Sequence, residues 1–166
     1  MKKLPDAEQL CEQLARELRP QVTPSTAMIG IHTGGAWVAE RLHAALGLRD
    51  ALGLLDIAFY RDDYAKQGLA KDPKRSKIPF DVEGRDLFLV DDVLHTGRTV
   101  RAAINELFDY GRPDSIALVV LAERDGRQLP ICARHAGAKV EVPAGMRLRL
   151  KRDDQGKLSL ELERGA

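Results

Sequence analysis

Two hydrophobic rhythms run along this chain. Between Pro5 and Arg19, Leu10, Leu14 and Leu18 recur every four residues with Cys11 and Ala15 beside them, the spacing of one buried helix face. Pro20 and Pro24 end that helix and form a connector. Ala27 to Ile31 is a short apolar run that reads as a strand. The turn His32-Thr33-Gly34-Gly35 then leads to a second helical pattern of Trp37, Val38, Arg41, Leu42, Ala45 and Leu46, closed by Gly47. Leu54 to Tyr60 alternates, with Leu55, Ile57 and Phe59 on one face of a strand. Leu87 to Val90 is apolar without alternation, as a strand covered on both faces should be. Thr99 to Tyr110 returns to the helical period, with Val100, Ala103, Ile104 and Leu107 as its buried stripe and Gly111 and Pro113 at its end. Ser115 to Ala122 is another fully buried strand. Lys139 to Val142 and Met146 to Lys151 read as short strands, Asp153 to Gly156 as a turn, and Leu158, Leu160 and Leu162 alternate as a final edge strand. Strands alternating with helices predict an α/β fold: a central, mostly parallel twisted sheet flanked by helices, with short β-strands at the C-terminal end.

One stretch stands out within that pattern. Val90-Asp91-Asp92-Val93-Leu94-His95-Thr96-Gly97-Arg98-Thr99 ends a buried strand in two carboxylates and opens a helix through small residues and hydroxyls. Loops at the carboxyl edge of a parallel sheet are where open α/β folds bind ligands. Gly97 lets backbone approach a ligand closely, the hydroxyls and N–H groups of Thr96 to Thr99 suit a phosphate, and Arg98 adds a cation. Asp91 and Asp92 lie too near that phosphate site to be its ligands, and suit neutral hydroxyls such as the vicinal pair of a ribose. Together they describe a pocket for ribose 5-phosphate. A Walker-type phosphate loop is excluded, because no Gly-x-x-x-x-Gly-Lys occurs in the chain.

The remaining chemistry is distributed. His32 to Gly35 forms a second strand–glycine loop–helix unit, whose N–H groups suit a pyrophosphate. Arg61 to Lys77 carries six Lys or Arg (Arg61, Lys66, Lys71, Lys74, Arg75, Lys77) against Asp62, Asp63 and Asp72, and reads as a basic lid over a pyrophosphate. Glu123 to Arg127 leaves the carboxyl end of a buried strand, which places Arg124 where a base is read. Arg147, Arg149 and Lys151 point to one face of their strand, a pattern commonest on a solvated edge.

Composition narrows the class. A chain of 166 residues suits one domain, and no repeat or boundary divides residues 1–166. The formal net charge of +1 gives no global basic field, so any nucleic-acid role rests on local patches: Lys71 to Lys77, Arg124 to Lys139, or the Arg147 stripe. The two cysteines, Cys11 and Cys132, lack metal-ligand spacing and read as buried small hydrophobes of a reducing compartment. Neither a secretory segment nor a membrane span is expected, which points to the cytoplasm.

The Asp-Asp…Thr-Gly-Arg-Thr string resembles the phosphoribosyl-pyrophosphate signature of type I phosphoribosyltransferases. Four segments narrow the likeness: Asp56 to Asp63, Ser76 to Asp81, Val90 to Arg101, and Gly111 to Ile131 with its Gly-Arg-Pro. Together they resemble the PyrR family of pyrimidine-operon regulators that also act as uracil phosphoribosyltransferases. The resemblance implies a type I phosphoribosyltransferase fold and transfer of phosphoribose from phosphoribosyl pyrophosphate to uracil, giving UMP. It assigns the ribose and 5-phosphate to Asp91, Asp92, Val93, Leu94, His95, Thr96, Gly97, Arg98 and Thr99. Pyrophosphate falls to His32, Thr33, Gly34 and Gly35, and the lid to Arg61. It implies Mg2+ travelling with the pyrophosphate rather than held in a protein site, a homodimer or larger homo-oligomer, and pyr messenger RNA as regulatory partner. Among the catalytic group of Asp91, Asp92, Arg61 and His95, the last departs from purine relatives, which place an Asp there to take a proton from the base. That departure counts against the alternative of a hypoxanthine or xanthine enzyme. The second departure is the loop: many family members carry Lys and Arg in it, and this chain has His32 as its one titratable group.

Overall fold

The computed structural model describes residues 2–57 and 76–165. Helix α1 (Ala7–Leu18) begins at Asp6, whose side chain accepts the Gln9 N–H at 3.1 Å and so satisfies one of the orphan donors of the first turn. A short 3-10 turn at Arg19–Gln21, with Pro20 inside it, leads to β1 (Thr26–Ile31). Helix α2 (Gly34–Leu46) follows and ends on Gly47, which takes the left-handed conformation at φ 59. Next come β2 (Gly53–Leu55), β3 (Asp86–Leu94), α3 (Arg98–Leu107), β4 (Ser115–Glu123) and β5 (His135–Lys139). The chain closes with β6 (Met146–Arg152) and β7 (Leu158–Arg164).

Five strands make one sheet in the order β2-β1-β3-β4-β5, and every neighbouring pair is parallel. The chain starts in β1, moves outward to β2, then returns past β1 to β3. The strand order therefore reverses between β1 and β3, the place where such sheets open a crevice. Strands β6 and β7 form a separate antiparallel pair. The α/β architecture expected from the alternation of strands and helices is thus the one observed.

Side chains alternate across the sheet. Met28, Phe88, Val90, Val119 and Leu121 face one cluster with the α1 stripe, Val38 and Leu42 of α2, and Leu148, Leu150, Leu158 and Leu160 of the hairpin. Ala27, Ile29, Ile31, Leu87, Leu89, Leu118 and Val120 face the other, against Val100, Ala103 and Leu107 of α3. Leu14 and Leu18 are fully buried, each worth about 1.5–3 kcal/mol relative to exposure. The hairpin is held to the helices by polar groups as well. Glu8 accepts the Leu158 N–H at 2.8 Å and pairs with Arg41, whose guanidinium also donates to the Gly156 carbonyl.

Four expectations are corrected. Leu54 to Tyr60 yields a strand only at Gly53–Leu55, and residues 58–60 fall outside the described residues. The strand expected at Lys139 to Val142 lies earlier, at His135–Lys139, paired along β4. Its sequence, His-Ala-Gly-Ala-Lys, has no β-branched or aromatic residue, so tertiary pairing overrides weak propensity. Cys11 is buried, and burial pushes its thiol up to about 12, but Cys132 is exposed. Finally, β3 runs through Leu94, so Asp91 and Asp92 lie within the strand rather than in a loop after it. Arg61 and the basic segment expected to form a lid fall outside the described residues, apart from Ser76 and Lys77. No described helix is long and apolar enough to cross a membrane.

Candidate functional site

The extension of β3 builds the site. Strand β1 pairs with β3 only as far as Gly30 opposite Val90, whereas β4 follows β3 to Leu94 opposite Glu123. Asp91 and Asp92 therefore stand at a step, with a strand on one side and the end of β1 on the other. Asp91 is 4% exposed, and its Oδ1 accepts the Asp92 N–H at 2.9 Å. Asp92 Oδ1 accepts the Val93 N–H at 2.8 Å. These local bonds hold both carboxylates against the backbone that follows them.

Two helix N-termini converge on the pair. Helix α2 starts at Gly34, so Gly34 and Gly35 form its first turn rather than a free turn before it. The approach is close enough to exclude side chains. A Cβ on Gly34 would meet Asp92 Oδ2 at 2.2 Å, and one on Gly35 would meet the Val90 carbonyl at 2.6 Å. The His32–Thr33 peptide preceding the helix is cis, and the His32 N–H donates to the Leu55 carbonyl at 2.9 Å. Helix α3 starts after Gly97, which adopts φ 95, a value suited to glycine. Thr96 Oγ1 accepts the Arg98 N–H at 3.2 Å. Neither helix has an acidic residue in its own first turn, and the start of α2 instead meets the Asp92 carboxylate across the cleft.

Two adjoining pockets result. A cleft of about 500 Å³ is lined by Thr33, Gly34, Trp37, Asp91, Asp92, Val93, His95 and Thr99, with Arg147, Arg149 and Leu150 of β6. A smaller one of about 150 Å³ lies over the start of α3, lined by Leu94, Thr96, Gly97 and Val100 together with Asp91, Val93, His95 and Thr99. The small pocket has the size and donors for a phosphate. The large one joins the carboxylates to the start of α2. A separate groove of about 410 Å³ at Lys2 to Pro5 and Lys139 to Pro143 shares none of these residues.

Most of the residues singled out in the sequence thus meet in one place. His95 lies at the junction, over Gly126, where a Cβ would come within 2.7 Å of its Nε2. Arg124 is placed differently from the expected base-reading position. Its N–H donates to the Leu94 carbonyl at 3.0 Å, its guanidinium reaches the Met146 carbonyl at 3.4 Å, and it does not line the large cleft. A simple surface pairing is excluded, since Glu123 pairs with Arg127 and Asp125 with Lys139. Arg124 therefore ties the end of β4 to the start of β6, the strand that walls the cleft. A base-reading Arg124 predicts that Arg124→Ala weakens UMP binding more than ribose 5-phosphate binding, whereas a tie between β4 and β6 alone predicts equal losses, and calorimetry with both ligands separates the two. Equal losses for the two ligands would place Arg124 outside base recognition.

Arg147 and Arg149 are the residues that sequence reasoning placed elsewhere. Their strand reads as a solvated edge, yet two of its four cations, Arg147 and Arg149, line the cleft. Local alternation distinguishes the faces of a hairpin but not what the polar face looks onto. The basic patches considered for nucleic acid are in part neutralised: His135 lies 3.8 Å from Glu17, and Lys151 pairs with Glu161 and Glu163.

The comparisons agree with this geometry. Residues 1–139 match the phosphoribosyl transferase domain model. The chain is 47% identical over 155 residues to the bifunctional protein PyrR of Ralstonia nicotianae, covering 91% of this chain and 88% of that one. It is 46% identical over 165 residues to the bifunctional protein PyrR of Pseudomonas putida, covering 97% and 94%. Among solved structures, a hypoxanthine-guanine-xanthine phosphoribosyltransferase superposes with TM-score 0.62 at 21% identity, over 84% of this chain and 79% of that one. A hypoxanthine phosphoribosyltransferase from Staphylococcus aureus gives 0.63 at 19% identity, over 82% and 73%. At these identities the solved structures speak for the fold alone.

Proposed function

Because the chain belongs to the phosphoribosyltransferase domain family and, within it, to the bifunctional PyrR proteins, we propose that it transfers phosphoribose from phosphoribosyl pyrophosphate to uracil and senses UMP at the same cleft. The observation that carries this reading is the pair of adjoining pockets sharing Asp91 and Thr99: one phosphate-sized at a helix N-terminus, the other lined by two fixed carboxylates.

In this reading Asp91 and Asp92 accept hydrogen bonds from the two ribose hydroxyls. Thr96 to Thr99 take the 5-phosphate through hydroxyls and the N–H groups of the first turn of α3. The start of α2, from Thr33 to Gly35, receives the diphosphate. N1 of uracil bonds to C1 of the ribose as the bond from C1 to the diphosphate oxygen breaks, and the electron pair leaves with pyrophosphate. Positive charge builds on the ring in between, and the two carboxylates lie where they stabilise it. Holding base and ribose in line supplies much of the remaining acceleration. Proton transfer at the base falls to His95, the titratable group at the junction of the pockets. The described residues include no cluster of three acidic, His or Cys side chains able to hold a metal by themselves. Mg2+ would enter on the diphosphate, whose hard oxygens suit it, and its charge would help pyrophosphate leave.

An activity panel with phosphoribosyl pyrophosphate and uracil, hypoxanthine, guanine or orotate tests the assignment. Turnover with uracil alone is expected; turnover with hypoxanthine but not uracil would replace it with the purine reading. The regulatory half, a homo-oligomer over one domain that binds pyr messenger RNA, is tested by the salt dependence of RNA affinity. Each phosphate contact contributes close to one unit of log–log slope.

A further inference from the structure

We propose that Arg147 and Arg149 form the cationic wall of the large cleft and hold the diphosphate of the phosphoribosyl donor. The proposal rests on the phosphoribosyl-transfer reading above and adds to it the residues that neutralise the leaving group. A diphosphate is strongly anionic, and here it must sit beside Asp91 and Asp92. The loop His32 to Gly35 carries no Lys or Arg, so backbone N–H groups there meet it without a side-chain cation of full charge. Among the described residues lining the cleft, the only Lys or Arg are Arg147 and Arg149.

The pairing on that face argues against an ordinary ladder of opposite charges. The antiparallel register sets Arg147 across from Glu163 and Arg149 across from Glu161. A ladder would pair each arginine directly across. Instead Lys151 takes both carboxylates, Glu161 at 2.9 Å and Glu163 at 2.8 Å. Arg149 reaches only Glu163, at 3.4 Å, and stays 59% exposed, while Arg147 makes no ion pair among the described residues. Three cations thus share two carboxylates, and the excess positive charge is left at the cleft end. Guanidinium groups suit this place, because their forked donors match phosphate oxygens two at a time.

Calorimetry on R147M, R149M and the double variant, in Mg2+ buffer, tests the assignment with phosphoribosyl pyrophosphate, inorganic pyrophosphate and ribose 5-phosphate. The double variant should bind the first two about tenfold to hundredfold more weakly and ribose 5-phosphate within about twofold of wild type. R147K and R149K should recover most of the lost affinity. Equal weakening of all three ligands, or unchanged affinity for both diphosphates, overturns the proposal. Should the double variant unfold, R147M, which breaks no ion pair, carries the same comparison. Wild-type protein that binds none of the three ligands overturns the phosphoribosyl reading itself, a result distinct from selective retention of the diphosphates.

Discussion

Asparagine at position 91 is expected to lower kcat/KM for UMP synthesis by about tenfold to hundredfold while leaving the fold in place. The substitution keeps the size of the side chain and keeps Oδ1, which still accepts the Asp92 N–H. It removes the negative charge facing the ribose, and charge-assisted hydrogen bonds of this kind are worth about 1.5–3 kcal/mol. Because Asp91 is nearly buried, water cannot substitute for the lost interaction. Asp92→Asn should act in the same direction. Steady-state kinetics and a thermal melt on each variant provide the check, and wild-type turnover in both would remove the ribose assignment.

Alanine at Gly35 is expected to cost stability as well as activity. Its methyl would lie 2.6 Å from the Val90 carbonyl and 2.9 Å from Asp91 Cα, both backbone atoms that no rotamer change can clear. Helix α2 must therefore back away from β3. Overpacking of this kind costs about 1–3 kcal/mol, or a fall in Tm of about 2–12 °C in a chain of this size. Gly34→Ala differs in kind, since its methyl collides with the Asp92 carboxylate, a side chain that can turn. That variant should keep most of its Tm and lose ligand affinity. Differential scanning calorimetry beside UMP titration separates the two; equal Tm losses would mean that the helix, not the carboxylate, yields in both.

Much of this site is legible in the order of the amino acids alone. Val90 to Thr99 combines a continuous apolar run, paired carboxylates and a Thr-Gly helix start, each tied to local backbone geometry that sequence encodes directly. The stripes of α1 and α3 are similarly local. What is not legible there depends on tertiary placement. Two aspartates inside a strand go against β-propensity, and they are tolerated because β1 stops at Ile31 and opens the sheet beside them. The run from His135 to Lys139 becomes a strand because β4 offers a free edge; Gly137 there leaves room for the Leu121 carbonyl, which a Cβ would approach to 2.5 Å. The hairpin arginines alternate as a solvated edge would, and only the burial of Leu148 and Leu150 in the core cluster shared with the helices and β3 brings them to the cleft. Exposure of Cys132 follows from the irregular path after Gly126, for which a flanking Ile131 is no guide.

The hairpin is clamped at both ends: Arg124 grips Met146 at one, and Glu8 with Arg41 grips Leu158 and Gly156 at the other. A wall so fixed has little conformational freedom left to lose when an anion arrives, so binding energy goes into contacts rather than into ordering a loop. The clamp also gives the amino-terminal helix a role at a distance. Glu8 lines neither the cleft nor the small pocket, yet it holds the start of β7, the strand paired with the one that carries Arg147 and Arg149. Glu8→Ala is therefore expected to weaken ligand binding through lost preorganisation although the cleft keeps every residue that lines it, and calorimetry checks this.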